Sequence, residues 1–199
     1  MVVVVDAGTG NLRSLTNALA RLGFAAEVAK VPPAALPETL ILPGVGAFGH
    51  VAAALGAGGW MDFIPDAVRH GCRLIGICLG MQLLFERSEE SPGVCGLGLL
   101  KGDVVRLDAA DAKVPHIGWS RLRFTRPCPQ EGGLPWAYFV HSYTVRPAGD
   151  SVVSGWARHG EREFPASVAA DNVVGVQFHP EKSQGPGLAF LANLIAGAA

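Results

Sequence analysis

The sequence carries little charge of either sign. Only 17% of its 199 residues are charged, and 16 Lys and Arg residues against 17 Asp and Glu residues leave a net charge of -1. This balance provides no excess of positive charge with which to bind a phosphate backbone or an anionic membrane surface. We therefore expect no nucleic acid and no membrane among the partners.

Long apolar runs and a basic leader are also missing. No stretch reaches the roughly 18 uncharged apolar residues that a membrane span requires. The first residues, Met1-Val2-Val3-Val4-Val5-Asp6, contain no basic residue, unlike the start of a secretory signal. These features predict a cytoplasmic protein.

Cysteine is scarce, and its spacing forms no recognisable pair. The four cysteines, Cys72, Cys78, Cys95 and Cys128, include no Cys-x-x-Cys motif. Their spacing predicts neither a disulfide framework nor a zinc site, and it fits a reducing compartment. The turn Gly8-Thr9-Gly10 lacks the third glycine of the dinucleotide fingerprint and the lysine of a phosphate loop. We therefore expect no metal and no cofactor.

Hydrophobic residues, in contrast, make up 49% of the chain. That share is enough to bury one substantial core, so we expect a single domain over residues 1–199. A β-branched run at 2–5, leucines at helical spacing over 12–22 and an apolar run at 39–42 predict an α/β fold. Its expected form is an open, doubly wound, mostly parallel sheet with helices on both faces. Further apolar runs predict an antiparallel β extension of that sheet at 97–107, 137–146, 151–157 and 164–178.

The motif Gly76-Ile77-Cys78-Leu79-Gly80 follows an apolar strand and has the form of a nucleophile elbow. Small residues on either side let a strand bend sharply into a helix and leave the central side chain exposed to attack a substrate. A helix N-terminus and a nearby imidazolium both favour the thiolate of such a cysteine. Gln82, about one helical turn after Cys78, is expected on the same face. The alternative is a buried cysteine that packs as a small hydrophobic residue.

A second motif, His179-Pro180-Glu181, follows the apolar strand that ends at Phe178. Proline keeps the residue before it extended, so His179 and Glu181 are expected to project to the same side. The carboxylate can then orient the imidazole and stabilise its charged form. With Cys78 these residues form a candidate Cys-His-Glu triad for acyl transfer. Among the other histidines, His141 could also line the pocket.

The turn Pro43-Gly44-Val45-Gly46 is placed at the carboxyl end of a strand, the edge where α/β sheets bind ligands. Two glycines around one valine allow backbone N–H groups to turn into a pocket, as an oxyanion hole requires. The alternative is an ordinary connection from a strand to a helix.

These three motifs, in this order and spacing, resemble those of the triad-type (class I) glutamine amidotransferases over nearly the whole chain. Within that family, the segments at 6–14, 114–119 and 138–143 resemble those of the glutaminase subunits of imidazole glycerol phosphate synthases, which act in histidine biosynthesis. Ala7 and Ser120 depart from the aromatic residue and the asparagine that are usual there. Neither belongs to the triad.

The resemblance implies that the chain hydrolyses L-glutamine to L-glutamate and ammonia. Cys78 would attack the side-chain amide carbon, His179 would move the proton, and Glu181 would orient His179. An oxyanion hole would combine the N–H of Leu79 with one from Gly44-Val45-Gly46, either preformed or after the loop reorients. Four residues would bind the glutamine backbone groups: Gln82 and Glu90, with Ser142 and Tyr143 as weaker candidates. Glu90 could instead be a solvated loop acid.

A chain of this length leaves no room for a second active site that accepts ammonia, so the acceptor is expected on another chain. In the resembled family it is a cyclase subunit, a (β/α)₈ barrel, which forms a heterodimer with the glutaminase. The cyclase makes imidazole glycerol phosphate and aminoimidazole carboxamide ribotide. Trp119 and Lys182 are candidates for the docking face, the alternatives being ordinary packing and a solvated lysine.

Other functions stay open at this point. The chain could be the glutaminase of another synthase, such as those for anthranilate or pyridoxal phosphate. It could be a cysteine hydrolase of esters or peptides, or a non-enzymatic redox sensor or scaffold. The last of these would need neither Gln82 nor the His-Pro-Glu segment.

Overall fold

The computed structural model describes residues 1–8, 12–108, 112–125 and 134–197. Thr9 and Gly10 of the first glycine turn, and Cys128, lie outside these residues. Within the described part of the chain, no helix has the length and apolarity needed to traverse a membrane.

Strands predominate in the second half of the chain and alternate with helices in the first half. The described helices are α1 (Leu12–Arg21), α2 (Phe48–Ala57), α3 (Trp60–Arg69), α4 (Leu79–Gln82) and α5 (Gln184–Ala196). The described strands are β1 (Val2–Val5), β2 (Ala26–Ala29), β3 (Thr39–Gly44), β4 (Arg73–Cys78), β5 (Arg87–Ser88), β6 (Gly102–Arg106), β7 (His116–Phe124), β8 (Trp136–His141), β9 (Tyr143–Pro147), β10 (Val153–His159), β11 (Arg162–Ala170) and β12 (Val173–Val176).

Nine of the described strands form one sheet in the order β2-β1-β3-β4-β12-β11-β10-β7-β8. The strands from β2 to β12 in this order pair in parallel, and the pairs beyond β12 are antiparallel. Strands β5, β6 and β9 form a second, smaller sheet. The expected α/β sheet with an antiparallel extension is therefore confirmed.

The core lies on both faces of the main sheet. All four residues of β1 are buried, as continuous β-branched strands in the middle of an α/β sheet should be. One hydrophobic cluster packs α1 and α5 against the sheet through residues such as Leu19 and Phe190. The other packs α2 and α3 against the opposite face through Leu55 and Ile64. The helices thus cover both faces, as predicted.

Several local features differ from the sequence prediction. The run at 97–107 is a strand only over β6, and the run at 137–146 is two strands, β8 and β9, because the chain turns at Ser142. Strands β6 and β9 pair with each other in the second sheet and do not extend the main one. The run at 164–178 is two strands, because the chain turns at 171–172 between β11 and β12. Strand β12 then pairs in parallel with β4 and belongs to the parallel part of the sheet. Strand β7 was not predicted, and α4 is a single turn.

The sheet brings the three candidate motifs to one edge. Gly44, at the end of β3, is the register partner of Cys78 at the end of β4. Val176, at the end of β12, pairs with Ile77, and the chain continues from there to His179. Since parallel strands end at the same side of a sheet, the motifs meet although about a hundred residues separate Cys78 from His179.

Candidate active site

Cys78 occupies a strained backbone position between β4 and α4. Its φ is 56° and its ψ is −110°, in a region that residues with a side chain rarely adopt. The positions of Gly76 and Gly80 on either side of Cys78 leave no room for a side chain. A Cβ on Gly80 would lie 1.8 Å from the carbonyl oxygen of Leu42, and a Cβ on Gly76 would lie 2.7 Å from the carbonyl oxygen of Gly80. The backbone at this point therefore has the geometry of a nucleophile elbow.

His179 and Glu181 form a buried pair next to the elbow. The Nδ1 atom of His179 lies 2.9 Å from Oε1 of Glu181, and the two side chains are only 3% and 4% exposed. The His179 backbone is fixed from both sides, because its N–H donates to the Tyr138 carbonyl at 3.0 Å and its carbonyl accepts from the Ser183 hydroxyl at 2.7 Å. With Nδ1 committed to the carboxylate, Nε2 is the nitrogen available for proton transfer.

The environment of His179 favours its charged form. Burial lowers the pKa of His179, but the interactions with Cys78 and Glu181 outweigh burial and raise this pKa to about 10. The Nε2 atom is buried and has no well-aligned hydrogen-bond partner among the described residues. Because the raised pKa reflects the nearby sulfur, the geometry suits an imidazolium beside a thiolate.

The sulfur of Cys78 faces a cleft of about 590 Å³. Its lining includes nearly all the predicted substrate and oxyanion residues, namely Val45, Gly46, Leu79, Gln82, Glu90, Ser142 and Tyr143, together with Lys182 from the predicted docking face. His179 and Glu181 do not line this cleft. They line a much smaller cavity, together with Gly44. Within the described residues, no cluster of three or more His, Cys, Asp or Glu side chains is arranged to hold a metal ion.

Gln82 is buried at the base of the cleft, and its amide nitrogen is fully used. Its Nε2 donates to the carbonyl oxygen of Tyr143 at 2.9 Å and to Oε1 of Gln177 at 3.0 Å. A side-chain amide has two N–H donors and one acceptor oxygen. Gln82 can therefore offer a substrate its oxygen, which suits a positively charged amino group better than a carboxylate.

Glu90 lines the cleft and also holds the start of α2. Its Oε2 accepts the N–H of Phe48 at 2.7 Å, and the neighbouring Ser91 hydroxyl accepts the N–H of Gly49 at 3.0 Å. Both donors belong to the first turn of α2, whose N–H groups have no partner within the helix. Since α2 follows the glycine turn 43–46 directly, this contact connects Glu90 to the predicted oxyanion loop.

The glycine turn after β3 packs closely on the elbow. A Cβ on Gly44 would lie 2.9 Å from the Leu79 Cβ, so only glycine brings β3 this close to the first residue of α4. Gly46 has a φ of 102°, in the left-handed region that glycine tolerates. Val45 and Gly46 form part of the cleft wall beside Cys78. The oxyanion role of this turn stays a prediction.

An apolar surface adjoins the cleft on β7 and β8. Ile117, Trp119 and Trp136 are 61%, 45% and 52% exposed. The centroid of the Tyr138 ring lies 6.0 Å from that of Trp119 and 5.9 Å from the Nζ atom of Lys182. We call these five residues the β7–β8 face. The structure thus places both predicted docking residues on one surface, which continues to the cleft through Lys182.

Residues 3–196 match the family model of the class-I glutamine amidotransferases. The chain belongs to this family. Relatives described as imidazole glycerol phosphate synthase subunit HisH match nearly its full length. The protein from Moorella thermoacetica is 47% identical, with 96% of this chain and 92% of the relative covered. The protein from Bacillus subtilis is 45% identical, with 100% of this chain and 97% of the relative covered.

Solved structures agree with this assignment. A crystal structure described as a glutamine amidotransferase has a TM-score of 0.74 and 27% identity to the chain, with 99% of this chain and 100% of that one covered. The structure of PurLQS from Thermotoga maritima has a TM-score of 0.77 at 21% identity, with 100% and 98% covered. The second likeness shows the fold alone.

One residue that contacts the candidate nucleophile of this class-I glutamine amidotransferase was not predicted from the sequence. Gln177 is fully buried, and its Nε2 lies 3.6 Å from the sulfur of Cys78. The sequence contained a signal for this residue. A glutamine inside the apolar segment before His179 needs hydrogen-bond partners if it is buried.

Two buried histidines flank the cleft of this glutamine amidotransferase. His141 lines it, as the sequence suggested, and its Nδ1 lies 2.9 Å from the Tyr143 carbonyl oxygen, to which only an N–H can donate. Its Nε2 lies 3.1 Å from Nδ1 of His116. Burial lowers the pKa of His141 to about 3 and that of His116 to about 4, so both are neutral near pH 7.

Proposed function

We propose that the chain is the glutaminase subunit of an imidazole glycerol phosphate synthase. In this proposal it hydrolyses L-glutamine to L-glutamate and ammonia, and it acts as one glutamine amidotransferase domain over residues 1–199. The observation that carries the proposal is Cys78 at a strained elbow beside the buried His179–Glu181 pair, in a chain 45% to 47% identical over nearly its full length to HisH proteins.

The first half-reaction forms a thioester. The thiolate of Cys78 attacks the side-chain amide carbon of glutamine, and the carbonyl oxygen takes the negative charge. The N–H of Leu79 and one from the turn at 44–46 hold this oxyanion. His179, protonated at Nε2, gives its proton to the leaving nitrogen, which departs as ammonia while the carbon–nitrogen bond breaks.

The second half-reaction releases glutamate. His179, now neutral, takes a proton from a water molecule, which attacks the thioester carbon. The carbon–sulfur bond breaks, and its electron pair returns to the sulfur as a thiolate beside the imidazolium. Glu181 stays charged throughout and keeps Nδ1 of His179 protonated.

In this proposal, the charges of the α-ammonium and α-carboxylate groups of glutamine determine how the substrate lies in the cleft. The α-ammonium group lies towards the oxygen of Gln82 and the carboxylate of Glu90, since both are acceptors. The α-carboxylate lies towards donors, the hydroxyl of Ser142 and the ammonium group of Lys182. These four residues and Tyr143 all line the cleft, so each borders the space open to the substrate.

A separate cyclase subunit, the (β/α)₈ barrel of such synthases, consumes the ammonia and forms a heterodimer with this chain. The description of the relatives as synthase subunits supports a partner chain. The β7–β8 face supports the place of docking, since exposed tryptophans beside a reactive cleft are typical of interface anchors. Docking there brings the partner directly against Lys182 at the cleft rim.

Glutamate release from L-glutamine tests the proposal. We would measure it for the purified chain alone, for the chain with a cyclase subunit loaded with its ribonucleotide, and for Cys78→Ala in the same complex. Release that rises sharply in the loaded complex and disappears in Cys78→Ala is the expected result.

Absence of hydrolysis in a folded, assembled complex would overturn the proposal. Release that responds equally to the loaded partner of another ammonia-using synthase would overturn the histidine-pathway part of it alone. To test the docking face separately, Trp136→Ser removes an exposed ring that does not line the cleft. It should weaken complex formation while the complex, once saturated with cyclase, turns over at the wild-type rate.

A further inference from the structure

Gln177 follows β12 directly and is the residue that joins the elbow to the base of the glutamine cleft. It is fully buried. Its Nε2 lies 3.6 Å from the sulfur of Cys78, and its Oε1 lies 3.0 Å from Nε2 of Gln82. We propose that Gln177 is a further catalytic residue, whose side-chain amide donates a hydrogen bond to the Cys78 sulfur and stabilises the thiolate.

The orientation of the Gln177 amide follows from its neighbours. The carbonyl oxygen of Tyr143 can only accept, so the Gln82 atom 2.9 Å away from it must be the nitrogen. That nitrogen also faces Gln177 at 3.0 Å. Two amide nitrogens cannot bond each other through their hydrogens, so Gln177 must present its oxygen there. Its own nitrogen is then left to face the sulfur.

The backbone holds this amide in place. The N–H of Gln177 donates to the Ala166 carbonyl at 2.9 Å, which ties the residue to β11. With the backbone fixed on one side and the side-chain oxygen bound to Gln82 on the other, little freedom remains. A donor fixed before the reaction stabilises charge without reorganising as the charge appears.

The hydrogen bond acts at the two moments when the sulfur carries charge. The first is the transfer of the thiol proton to Nε2 of His179, which leaves a thiolate. The second is the collapse of the deacylation intermediate, when the carbon–sulfur bond breaks and the electron pair returns to the sulfur. A hydrogen bond to a charged acceptor is stronger than one to a neutral acceptor, so the Gln177 contact favours both steps.

The same contact links substrate binding to the nucleophile. This part of the inference rests on the proposed function. Gln82 holds the oxygen of Gln177, and the oxygen of Gln82 faces the amino end of glutamine. A glutamine molecule that bonds to the Gln82 oxygen therefore also affects the position of the Gln177 amide, which donates to the Cys78 sulfur.

The test is the pH dependence of iodoacetamide alkylation at Cys78, followed by mass spectrometry in the full-length chain. Gln177→Met keeps the side-chain volume and removes the donor. We expect the alkylation midpoint to move up by about one to two pH units, the size of a hydrogen bond to a charged group. In the loaded complex, kcat should fall about 10- to 100-fold with KM nearly unchanged, because the lost contact is to the reacting atom.

A second variant keeps the experiment decisive if Gln177→Met fails to fold. Gln177→Glu keeps the shape and the acceptor for Gln82 but replaces the donor with an oxygen, so it should shift the midpoint in the same direction. Ser167→Ala is the matched control, because it removes a buried hydrogen bond of 2.8 Å to Ser154 without touching the sulfur, and should leave the midpoint unchanged.

Wild-type midpoints and turnover in folded Gln177→Met and Gln177→Glu would overturn the role of Gln177. Alkylation needs no glutamine. A shifted midpoint in a chain that hydrolyses no glutamine would therefore support the Gln177 contact while rejecting the proposed function, and the two failures stay distinguishable.

Discussion

Gly44 and Cys78 are direct register partners on neighbouring parallel strands. The predicted oxyanion turn and the nucleophile therefore start from the same level of the sheet. Leu79, the residue after Cys78, packs closely on Gly44, since a Cβ on Gly44 would fall 2.9 Å from the Cβ of Leu79. Two backbone segments distant in sequence can thus contribute N–H groups to one oxyanion hole because β3 and β4 end together.

The close approach of these strands predicts a severe effect of Gly80→Ala. The new Cβ would lie 1.8 Å from the carbonyl oxygen of Leu42, and backbone atoms must move to accept it. Overpacking of this kind costs roughly 1–3 kcal/mol of unfolding free energy, and we expect activity to be lost with it. Urea unfolding and glutamate release measure the two effects.

Gly56→Ala is the control for this substitution. Gly56 lies in α2, and its prospective Cβ would meet only the Cγ atom of Met61, at an ordinary contact distance of 3.9 Å. Alanine there should leave activity intact and raise stability by up to about 1 kcal/mol through helix propensity. Equal losses in both variants would contradict the packing argument.

Variants of Glu90 and Ser91 should distinguish an effect on glutamine binding from an effect on the stability of the fold. Each residue accepts an N–H from the first turn of α2. Ser91→Ala removes its acceptor and should cost on the order of 1 kcal/mol of unfolding free energy, whereas Glu90→Gln keeps an acceptor oxygen and loses only the charge at the helix N-terminus, about 0.3–1 kcal/mol. Only Glu90 lines the cleft. We therefore expect KM for glutamine to rise in Glu90→Gln and to stay near the wild-type value in Ser91→Ala. Matching KM values in the two variants would leave Glu90 with the cap role alone.

The His179–Glu181 pair predicts how stability changes at alkaline pH. The folded chain keeps the His179 proton up to about pH 10, whereas the ordinary value is 6.5. The stabilising contribution of this proton is therefore complete below about pH 6.5 and is lost as pH rises towards 10. Unfolding free energy should fall by up to about 1.4 kcal/mol per pH unit within that window.

Glu181→Gln removes one of the two interactions that raise the pKa of His179. The variant should be less stable than the wild type near pH 6, by about 1.5–3 kcal/mol for a charge-assisted hydrogen bond, and the difference should shrink towards pH 10. Denaturant unfolding at several pH values measures this convergence. Parallel stability profiles would contradict it.

The two histidines beside the cleft predict the opposite trend in acid. Burial lowers the pKa of His116 to about 4 and that of His141 to about 3, against an ordinary value of 6.5. Below about pH 6.5 the unfolded chain therefore binds more protons than the folded chain, and the free energy of unfolding falls as the pH drops. His116→Gln cannot bind such a proton and should reduce this slope by up to about 1.4 kcal/mol per pH unit. Equal slopes in the wild type and His116→Gln would contradict this prediction.

Local patterns were sufficient to predict much of the site. The glycines around Cys78 and the two-residue spacing of His179 and Glu181 act through backbone geometry close to each residue, so the sequence shows them. The length of α4 could not be predicted in this way. The apolar run after Gln82 could continue a helix, but the carbonyls of Leu83 and Phe85 accept N–H groups from Leu97 and Gly98 instead. A contact with a distant segment thus ends the helix after one turn.

The contact of Gln177 with Cys78 depends on the pairing of β12 with β4, which is a long-range event. The sequence contains the buried glutamine but not the identity of its partners. The β7–β8 face was predicted only in part for a related reason. Trp119 was predicted as an exposed interface residue. Ile117 lies two residues away on the same face of β7, a strand that the sequence did not predict, and Trp136 joins them only because β7 and β8 pair side by side.

The order of the strands in the main sheet also has a consequence for folding during synthesis on the ribosome. Of the described strands, β12 comes last in the chain, yet it lies between β4 and β11. As the ribosome releases the chain, Cys78 emerges about a hundred residues before His179 and Gln177, and the two halves of the sheet must wait for β12 to join them. A nascent chain that stops short of β12 therefore carries Cys78 without His179, its proposed base, so we expect no glutamine hydrolysis until β12 has joined the sheet.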